Sequence, residues 1–283
     1  MFMPPDKGII SQWSEAAPYW EKHRNTIREM FAPITRGLVK DGKVRSGNTV
    51  LDVATGPGEP ALSIADTVGS EGTVVGIDPV REMVGAGRRE AQRRQLNNVR
   101  FEVAFADSLP FPDHTFDAVV SRFGVMFFPS PLDSIREMLR VLKPGGRIAL
   151  AVWPFAERNP FHHVLSQVLT RYVDSPPPPA DSPDAFRFAE PGKLLDILVG
   201  AGALAASERL LQFVIAAPLS VEDFWTLRSE MSDKLRNKLS VLSQEQIAEL
   251  RSEVIENLRP YYGSGRMSLP AEVLIVSGAK AVP

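Results

Sequence analysis

Between Gln12 and Val39 the apolar and aromatic positions Trp13, Ala16, Trp20, Ile27, Phe31, Ile34 and Leu38 recur at three-, four- and seven-residue steps. That is helical spacing, and Pro18 and Pro33 inside it predict two or three short helices. The pattern then shifts to compact apolar runs. Asn48 to Ala54, Thr73 to Ile77, Val99 to Val103, Phe116 to Ser121 and Arg147 to Trp153 each read as a strand. Helix-compatible stretches separate them: Ala61 to Ala65, Met83 to Arg94, and Ser134 to Leu142 with its stop at Pro144-Gly145-Gly146. Alternation at this spacing predicts parallel βαβ units with right-handed crossovers.

Past Trp153 the alternation lapses. Pro154 to Ala189 is proline-rich, with one helical stretch from His163 to Tyr172, and the run Pro176 to Pro179 reads as a short stiff spacer. Lys193 to Val199 resumes a helix closed by Gly200 and Gly202. Arg209 to Ala216 and Glu272 to Ser277 read as strands, with Ser220 to Leu258 mostly helical between them. The expected fold is an α/β, doubly wound, Rossmann-like, mostly parallel sheet of about seven strands, one structural domain overall. Residues 1–45 are expected as an N-terminal helical lid and 46–153 as the ligand-binding core. Residues 154–283 would complete the sheet, with helical insertions after strands five and six covering the substrate.

Composition narrows the chemistry. With 32 basic against 34 acidic residues the chain lacks the basic footprint of a nucleic-acid or anionic-membrane binder, so a small-molecule partner is expected. The absence of cysteine excludes disulfides, thiolate metal sites, iron–sulfur clusters and a thiol nucleophile, and no metal is expected. No run of about 18 apolar residues occurs. Met1 to Gly8 holds Pro4, Pro5, Asp6 and Lys7 in place of a basic patch and apolar run. The expected location is cytoplasmic.

In a doubly wound sheet the ligand sits outside the carboxyl ends of the strands. After the first strand, Ala54-Thr55-Gly56-Pro57-Gly58 allows close backbone approach, and the helix that follows favours an anion. After the second, Asp78 lies about 20 residues beyond the glycine turn, where a carboxylate can accept from both ribose hydroxyls. After the third, Asp107 in Ala106-Asp107-Ser108 can accept from an exocyclic amine, with Leu109-Pro110-Phe111 packing nearby. After the fourth, Ser121-Arg122-Phe123-Gly124 borders the reactive end of the ligand. Singly each is an ordinary turn or helix cap; in this order they reinforce one another.

The segments Val50 to Glu59, Gly76-Ile77-Asp78-Pro79, Ala106 to Phe111, Phe116-Asp117 and Leu142 to Arg147 resemble the class I S-adenosylmethionine-dependent methyltransferases. The closest branch is similar to the ubiquinone and menaquinone C-methyltransferases. The resemblance implies that Asp52, Ala54, Thr55, Gly56 and Gly58 hold the methionine part of S-adenosylmethionine. It further implies Asp78 on the ribose, Met83 or Pro79 on an adenine face, Asp107 on the adenine amine and Tyr19 as an aromatic cofactor contact. S-adenosylhomocysteine would be the product. Two departures stand out: Ala54 occupies the first glycine position, and Val125-Met126-Phe127-Phe128 replaces a more polar segment of the quinone enzymes, which argues against carrying over a quinone substrate.

The sulfonium methyl is already activated, so the protein must mainly orient an acceptor and exclude water. If a proton must leave, His162, His163 and His23 are the base candidates; His114 sits in a turn. Trp13, Tyr19, Trp20 and Phe31 could form an aromatic lid or simply pack. Phe155, Phe161, Phe186, Phe188, Phe224 and Trp225 fit an apolar acceptor pocket or plain core equally. Arg88, Arg89, Arg93 and Arg94 read as a solvent face. The leading expectation is methyl transfer to a small apolar or aromatic metabolite, O-methylation slightly ahead of C- or N-methylation. The rivals are an NAD(P)-dependent oxidoreductase, whose third glycine is missing because Glu59-Pro60-Ala61 follows Gly58, and a non-catalytic S-adenosylmethionine-binding module.

Overall fold

In the computed structural model, which describes residues 7–174, 179, 181–263 and 266–282, the first five strands form in parallel register. Strand β1 (Thr49–Val53) lies between β2 (Thr73–Asp78) and β4 (Phe116–Arg122), with β3 (Val99–Val103) outside β2 and β5 (Leu142–Val152) outside β4. The last long strand, β8 (Arg266–Ala279), inserts antiparallel between β5 and the edge strand β6 (Leu204–Ala217). The order is β3-β2-β1-β4-β5-β8-β6, and the two-residue β7 (Tyr262–Gly263) pairs with β8.

Helices α3 (Ala61–Val68) and α4 (Arg81–Arg93) connect β1 to β2 and β2 to β3, whereas α5 (Pro131–Val141) connects β4 to β5. The chain travels one way along the sheet through the first pair of crossovers and the opposite way through the last. Right-handed crossovers therefore place α3 and α4 on one face and α5 on the other. Covered on both faces, the central strands read as continuous apolar runs: Val50, Leu51 and Val53 in β1 and Ile148 to Val152 in β5 are all buried. The direction reverses between β1 and β4, which puts the ligand crevice at their carboxyl ends.

Of the two or three short helices expected before the sheet there are two, and they are long: α1 (Lys7–Lys22) and α2 (Arg24–Asp41). Both run straight through their prolines, Pro18 and Pro33, and the break falls at His23. Each proline deletes one helical hydrogen bond, but burial of Ala16 and Ala17 beside Pro18, and of Phe31 and Ile34 beside Pro33, offsets the loss. The apolar side of α1, Ala17 with Ile10, Trp13 and Trp20, packs on Val80 and Met83 at the mouth of the crevice.

The antiparallel strands outrun their apolar centres. β6 and β8 each span 14 residues because their paired backbones continue the ladder past those centres, where Leu204, Ala205 and Ser207 of β6 are exposed. Likewise β5 begins at Leu142, paired to Phe116, five residues before the apolar run. The insertion after β5 holds α6 (Pro160–Leu169), which opens with Pro160 in its first turn, ahead of the expected His163. Helix α7 (Lys193–Gly200) precedes β6. The insertion after β6 holds α8 (Val221–Met231), α9 (Asp233–Leu239) and α10 (Gln244–Leu258), capped by Ser220, Ser232 and Ser243. Of the Pro176 to Pro179 run, all but Pro179 lies outside the described residues, as does the stretch before Lys7. No helix among the described residues is long and apolar enough to cross a membrane.

Candidate functional site

The turn after β1 is shaped by two carboxylates. Asp52 is buried at the strand's end; its Oδ2 accepts from the Thr55 hydroxyl at 2.6 Å and from the Ala61 N–H, the first residue of α3, at 3.0 Å. Its Oδ1 is buried without a partner. Asp78, at the end of β2, accepts from the Gly56 N–H through Oδ2 at 3.0 Å and from the Val80 N–H through Oδ1 at 2.9 Å. Asp52 thus ties the turn to α3, and Asp78 ties it to the neighbouring strand. Each Asp78 oxygen keeps acceptor capacity for a ligand hydroxyl.

Burial pushes Asp52 up to about 7 and Asp78 up to about 6, against the hydrogen bonds that pull both down. Both groups therefore bind protons more tightly in the folded chain than in the unfolded one, whose aspartates titrate near 3.8. The ligand-free protein should lose stability from these groups as pH rises from about 4 through about 7. Denaturant unfolding at about pH 5 and about pH 8 checks this: Asp52→Asn is expected to lose less stability between the two than the wild type.

Within the turn, Gly56 and Gly58 sit at φ +56° and +110°, and Ala54 at +58°. A Cβ on Gly56 would meet nothing within 4 Å, so this glycine faces open space on the rim. Ala54 holds a left-handed conformation that favours glycine. A Cβ on Gly124, just after β4, would come within 2.5 Å of the Ala54 methyl and 2.7 Å of Ser121 Oγ. Glycine at 124 makes room for the methyl at 54. Gly124→Ala is expected to destabilise by about 2 kcal/mol through overpacking. Ala54→Gly should stabilise by about 1 kcal/mol through relief of backbone strain and recover part of the Gly124→Ala loss, as thermal unfolding of the double-mutant cycle would read.

Along the same rim, Asp107 lies half-buried in the turn Phe105–Ser108, and its carboxylate has no hydrogen bond or ion pair among the described residues. Ala106 is half-buried and Ser108 exposed beside it. Pro79 is half-buried, and Met83 is covered by Ala17 of α1. Trp13 extends that cover to β4's side, edge-on to Phe127 at 5.2 Å. Tyr19 turns elsewhere, its ring beneath the Arg236 guanidinium at 5.1 Å. Arg122 props the turn from β4, donating to the Thr35 hydroxyl at 3.0 Å and the Glu59 carbonyl at 3.1 Å. Ser121 Oγ is buried without a partner.

Beyond β4 the rim becomes aromatic. Phe123, at φ +64°, donates its N–H to Ala151 and stacks on Trp153 with centroids 4.2 Å apart. Phe31 of α2 stands edge-on to Phe123 at 5.5 Å and to Phe161 at 5.9 Å. His162 sits edge-on to Trp153, Phe161 and Phe186 at 4.7, 5.0 and 5.3 Å. From α8 come Phe224, 5.5 Å from Phe161, and Arg228, its guanidinium 4.4 Å over the Phe161 ring. Of the late aromatics, Phe155 is exposed and stands apart from this cluster.

The three histidines fare differently. Burial, and then the Arg228 charge, hold His162 well below its usual range, so it is neutral at pH 7. An Arg228 Nη lies 3.4 Å from His162 Nδ1; arginine only donates, so Nδ1 accepts and Nε2 carries the proton. His23 Nε2 lies 2.6 Å from Glu230, which Lys22 also engages at 2.7 Å, so this histidine latches α1 to α8. The His163 side chain makes no hydrogen bond among the described residues. Turn residue His114 is exposed, as expected. The basic cluster on α4 is spoken for: Arg89 pairs with Glu21, Arg93 with Glu90, Arg94 with Asp66, and Arg88 donates to the Phe101 carbonyl. No group of three His, Asp or Glu residues suited to a metal occurs among the described residues.

Arg228 escaped the sequence reading. Its only signal is its position four residues after Phe224, hence on the same helical face as an aromatic.

The strand order is that of an α/β, Rossmann-like, methyltransferase-type fold, and the chain is similar in sequence to the ubiquinone/menaquinone C-methyltransferase branch of the S-adenosylmethionine-dependent enzymes. Residues 35–172 match the ubiE/COQ5 methyltransferase family. A ubiquinone/menaquinone biosynthesis C-methyltransferase of Marinomonas sp. is 40% identical over 138 residues, 48% of this chain and 53% of that protein. A demethylmenaquinone methyltransferase of Listeria welshimeri is 40% identical over 145 residues, 51% and 61% of the two chains. The chain therefore matches between half and two thirds of the length of these relatives. Among solved structures, a putative methyltransferase from Bacillus halodurans superposes with TM-score 0.56 at 21% identity, covering 88% of this chain and 99% of that one. Phosphoethanolamine N-methyltransferase 2 of Haemonchus contortus, solved with phosphomonomethylethanolamine and S-adenosylhomocysteine, gives 0.59 at 16% identity, covering 96% and 60%. At these identities the two superpositions speak for the fold.

Proposed function

We propose that the protein transfers a methyl group from S-adenosylmethionine to a small aromatic or apolar acceptor seated among Phe31, Phe123, Trp153 and Phe161. The supporting observation is one of order. Along a single rim run an open glycine turn, a carboxylate with spare acceptor capacity (Asp78), an unpaired carboxylate (Asp107), and then the aromatic cluster that starts at Phe123.

The residues present fit the cofactor. The Ala54 to Gly58 turn offers the methionyl part a cradle that no side chain fills at Gly56, and Asp52 holds that turn in shape. Asp78 would accept from the ribose hydroxyls and Asp107 from the adenine amine, with Pro79 and Met83 against the ring. Bound there, the cofactor supplies a methyl group activated by the sulfonium charge. Trp13 and Trp20 of α1 exclude water from above, and Phe123 and Trp153 present a flat acceptor edge-on or stacked. Tyr19 is a cofactor contact only if α1 shifts, since its ring is engaged by Arg236.

His162 serves this reading as a hydrogen-bond donor rather than a base, because its lone pair is turned toward Arg228. The acceptor would then react as an ionised group, such as a phenolate. A phenolate is nucleophilic at oxygen and at ring carbon; oxygen ranks first here, although the relatives carry names of C-methyltransferases.

The test is formation of S-adenosylhomocysteine with carbon-13 methyl-labelled donor and a panel of phenols, carboxylic acids and amines. A labelled O- or C-methyl aromatic product supports the proposal, and NMR assigns the atom. Tight donor binding without product from any of them would favour a non-catalytic binding module, and binding of NADH in preference to the donor would favour an oxidoreductase.

A further inference from the structure

Two buried donors in the aromatic cluster lack acceptors. Arg228 Nε and His162 Nε2 are both sealed from solvent with no hydrogen-bond partner, although the two side chains touch through the Nη to Nδ1 contact. Arg228 also lacks an ion pair among the described residues. The acidic residue two positions on, Glu230, is engaged by Lys22 and His23, and Glu222 and Asp223 lie exposed at the start of α8. The Phe161 face partly offsets the cost of burying the guanidinium but accepts no N–H in the plane of the fork. Native proteins rarely leave buried donors unmade, and two adjacent orphans of the same polarity call for an acceptor that the chain itself does not provide.

We propose that Arg228, with His162 Nε2–H beside it, is the specificity-determining anchor for an anionic group of the methyl acceptor, a carboxylate on an aromatic ring. The inference rests on the methyl-transfer reading and narrows its substrate class. Arg228 connects to the cofactor rim through a continuous aromatic path, from Phe161 and His162 to Trp153 and on to Phe123. An aromatic carboxylate would place its ring on that path and its charge on the planar donor fork, which matches a carboxylate in geometry and sign. Its charge would also keep Arg228 paired in an environment poor in water.

Calorimetric titration of the protein loaded with S-adenosylhomocysteine, using benzoate and 4-hydroxybenzoate against their amides, tests this. The carboxylates are expected to bind at least about tenfold tighter than the amides. Arg228→Met should abolish that preference while leaving amide and S-adenosylhomocysteine affinities within about twofold. Arg228→Lys, which keeps the charge but not the fork, should keep part of it and guards against a folding defect in the methionine variant, with thermal unfolding run on both. Equal binding of carboxylate and amide, no binding of either carboxylate, or an undiminished preference in Arg228→Met would overturn the proposal and leave Arg228 a brace for Phe161. Failure of the wild type to bind S-adenosylhomocysteine would refute the methyl-transfer reading instead, and the same titration on the unloaded protein would still decide the role of Arg228.

Discussion

Asp78→Ala is expected to lower the affinity for S-adenosylmethionine by about 100-fold or more. Two charge-assisted hydrogen bonds to ribose hydroxyls, at about 1.5–3 kcal/mol each, account for that loss alone. The substitution also frees the Gly56 and Val80 N–H groups, which Asp78 now satisfies at 3.0 and 2.9 Å, so the turn itself loosens. The interaction needs the ionised carboxylate. Burial raises Asp78 to about 6, so wild-type affinity should be level above that pH and fall by about tenfold per unit below it. Asp78→Asn removes the titrating group and should flatten this part of the profile at a weaker affinity. Calorimetry across the range reads both effects; an Asp78→Ala protein that binds like the wild type would remove the ribose role.

Gly56→Ala and Gly58→Ala should fail in opposite ways. At Gly58 a Cβ would lie 2.8 Å from Leu62 Cδ1 and 3.2 Å from the Gly87 Cα, at a φ of +110° that side chains rarely adopt. Overpacking and backbone strain together cost about 3 kcal/mol or more, a fall in Tm of about 5 °C or more for a chain of this size. At Gly56 the added methyl meets no protein atom, so stability should fall by only about 1 kcal/mol, while the methyl intrudes on the cradle and weakens S-adenosylmethionine by about tenfold or more. Thermal unfolding and calorimetry on the two variants separate the roles. Should Gly56→Ala bind normally, the cradle lies elsewhere.

What could be read from the chain was what lies close together along it. β1, β2, β4 and β5 announce themselves as apolar runs and β3 as an alternating one, and each rim residue ends its strand or follows it within a few positions, so Gly56, Asp78 and Asp107 could be placed by order alone. Features made by distant residues were hidden. The Ala54 methyl fits only because residue 124 is glycine, 70 positions away, and His162 meets Arg228, 66 positions further along the chain. Helices α1 and α2 pass through Pro18 and Pro33 because tertiary burial outweighs the local cost, a balance invisible in the pattern. β6 and β8 extend past their apolar centres because a ladder needs backbone partners, not apolar side chains. The three histidines looked equivalent as bases; burial, an arginine neighbour and a carboxylate neighbour distinguish them only in space.

The most direct measurement is the crystal structure of the protein grown with S-adenosylhomocysteine. It should show the ribose hydroxyls on Asp78, the adenine amine within reach of Asp107, and the sulfur directed at the Phe123–Trp153 stack. Density for the compound at any other place, or a rim left bare at concentrations that saturate a methyltransferase, would contradict the account.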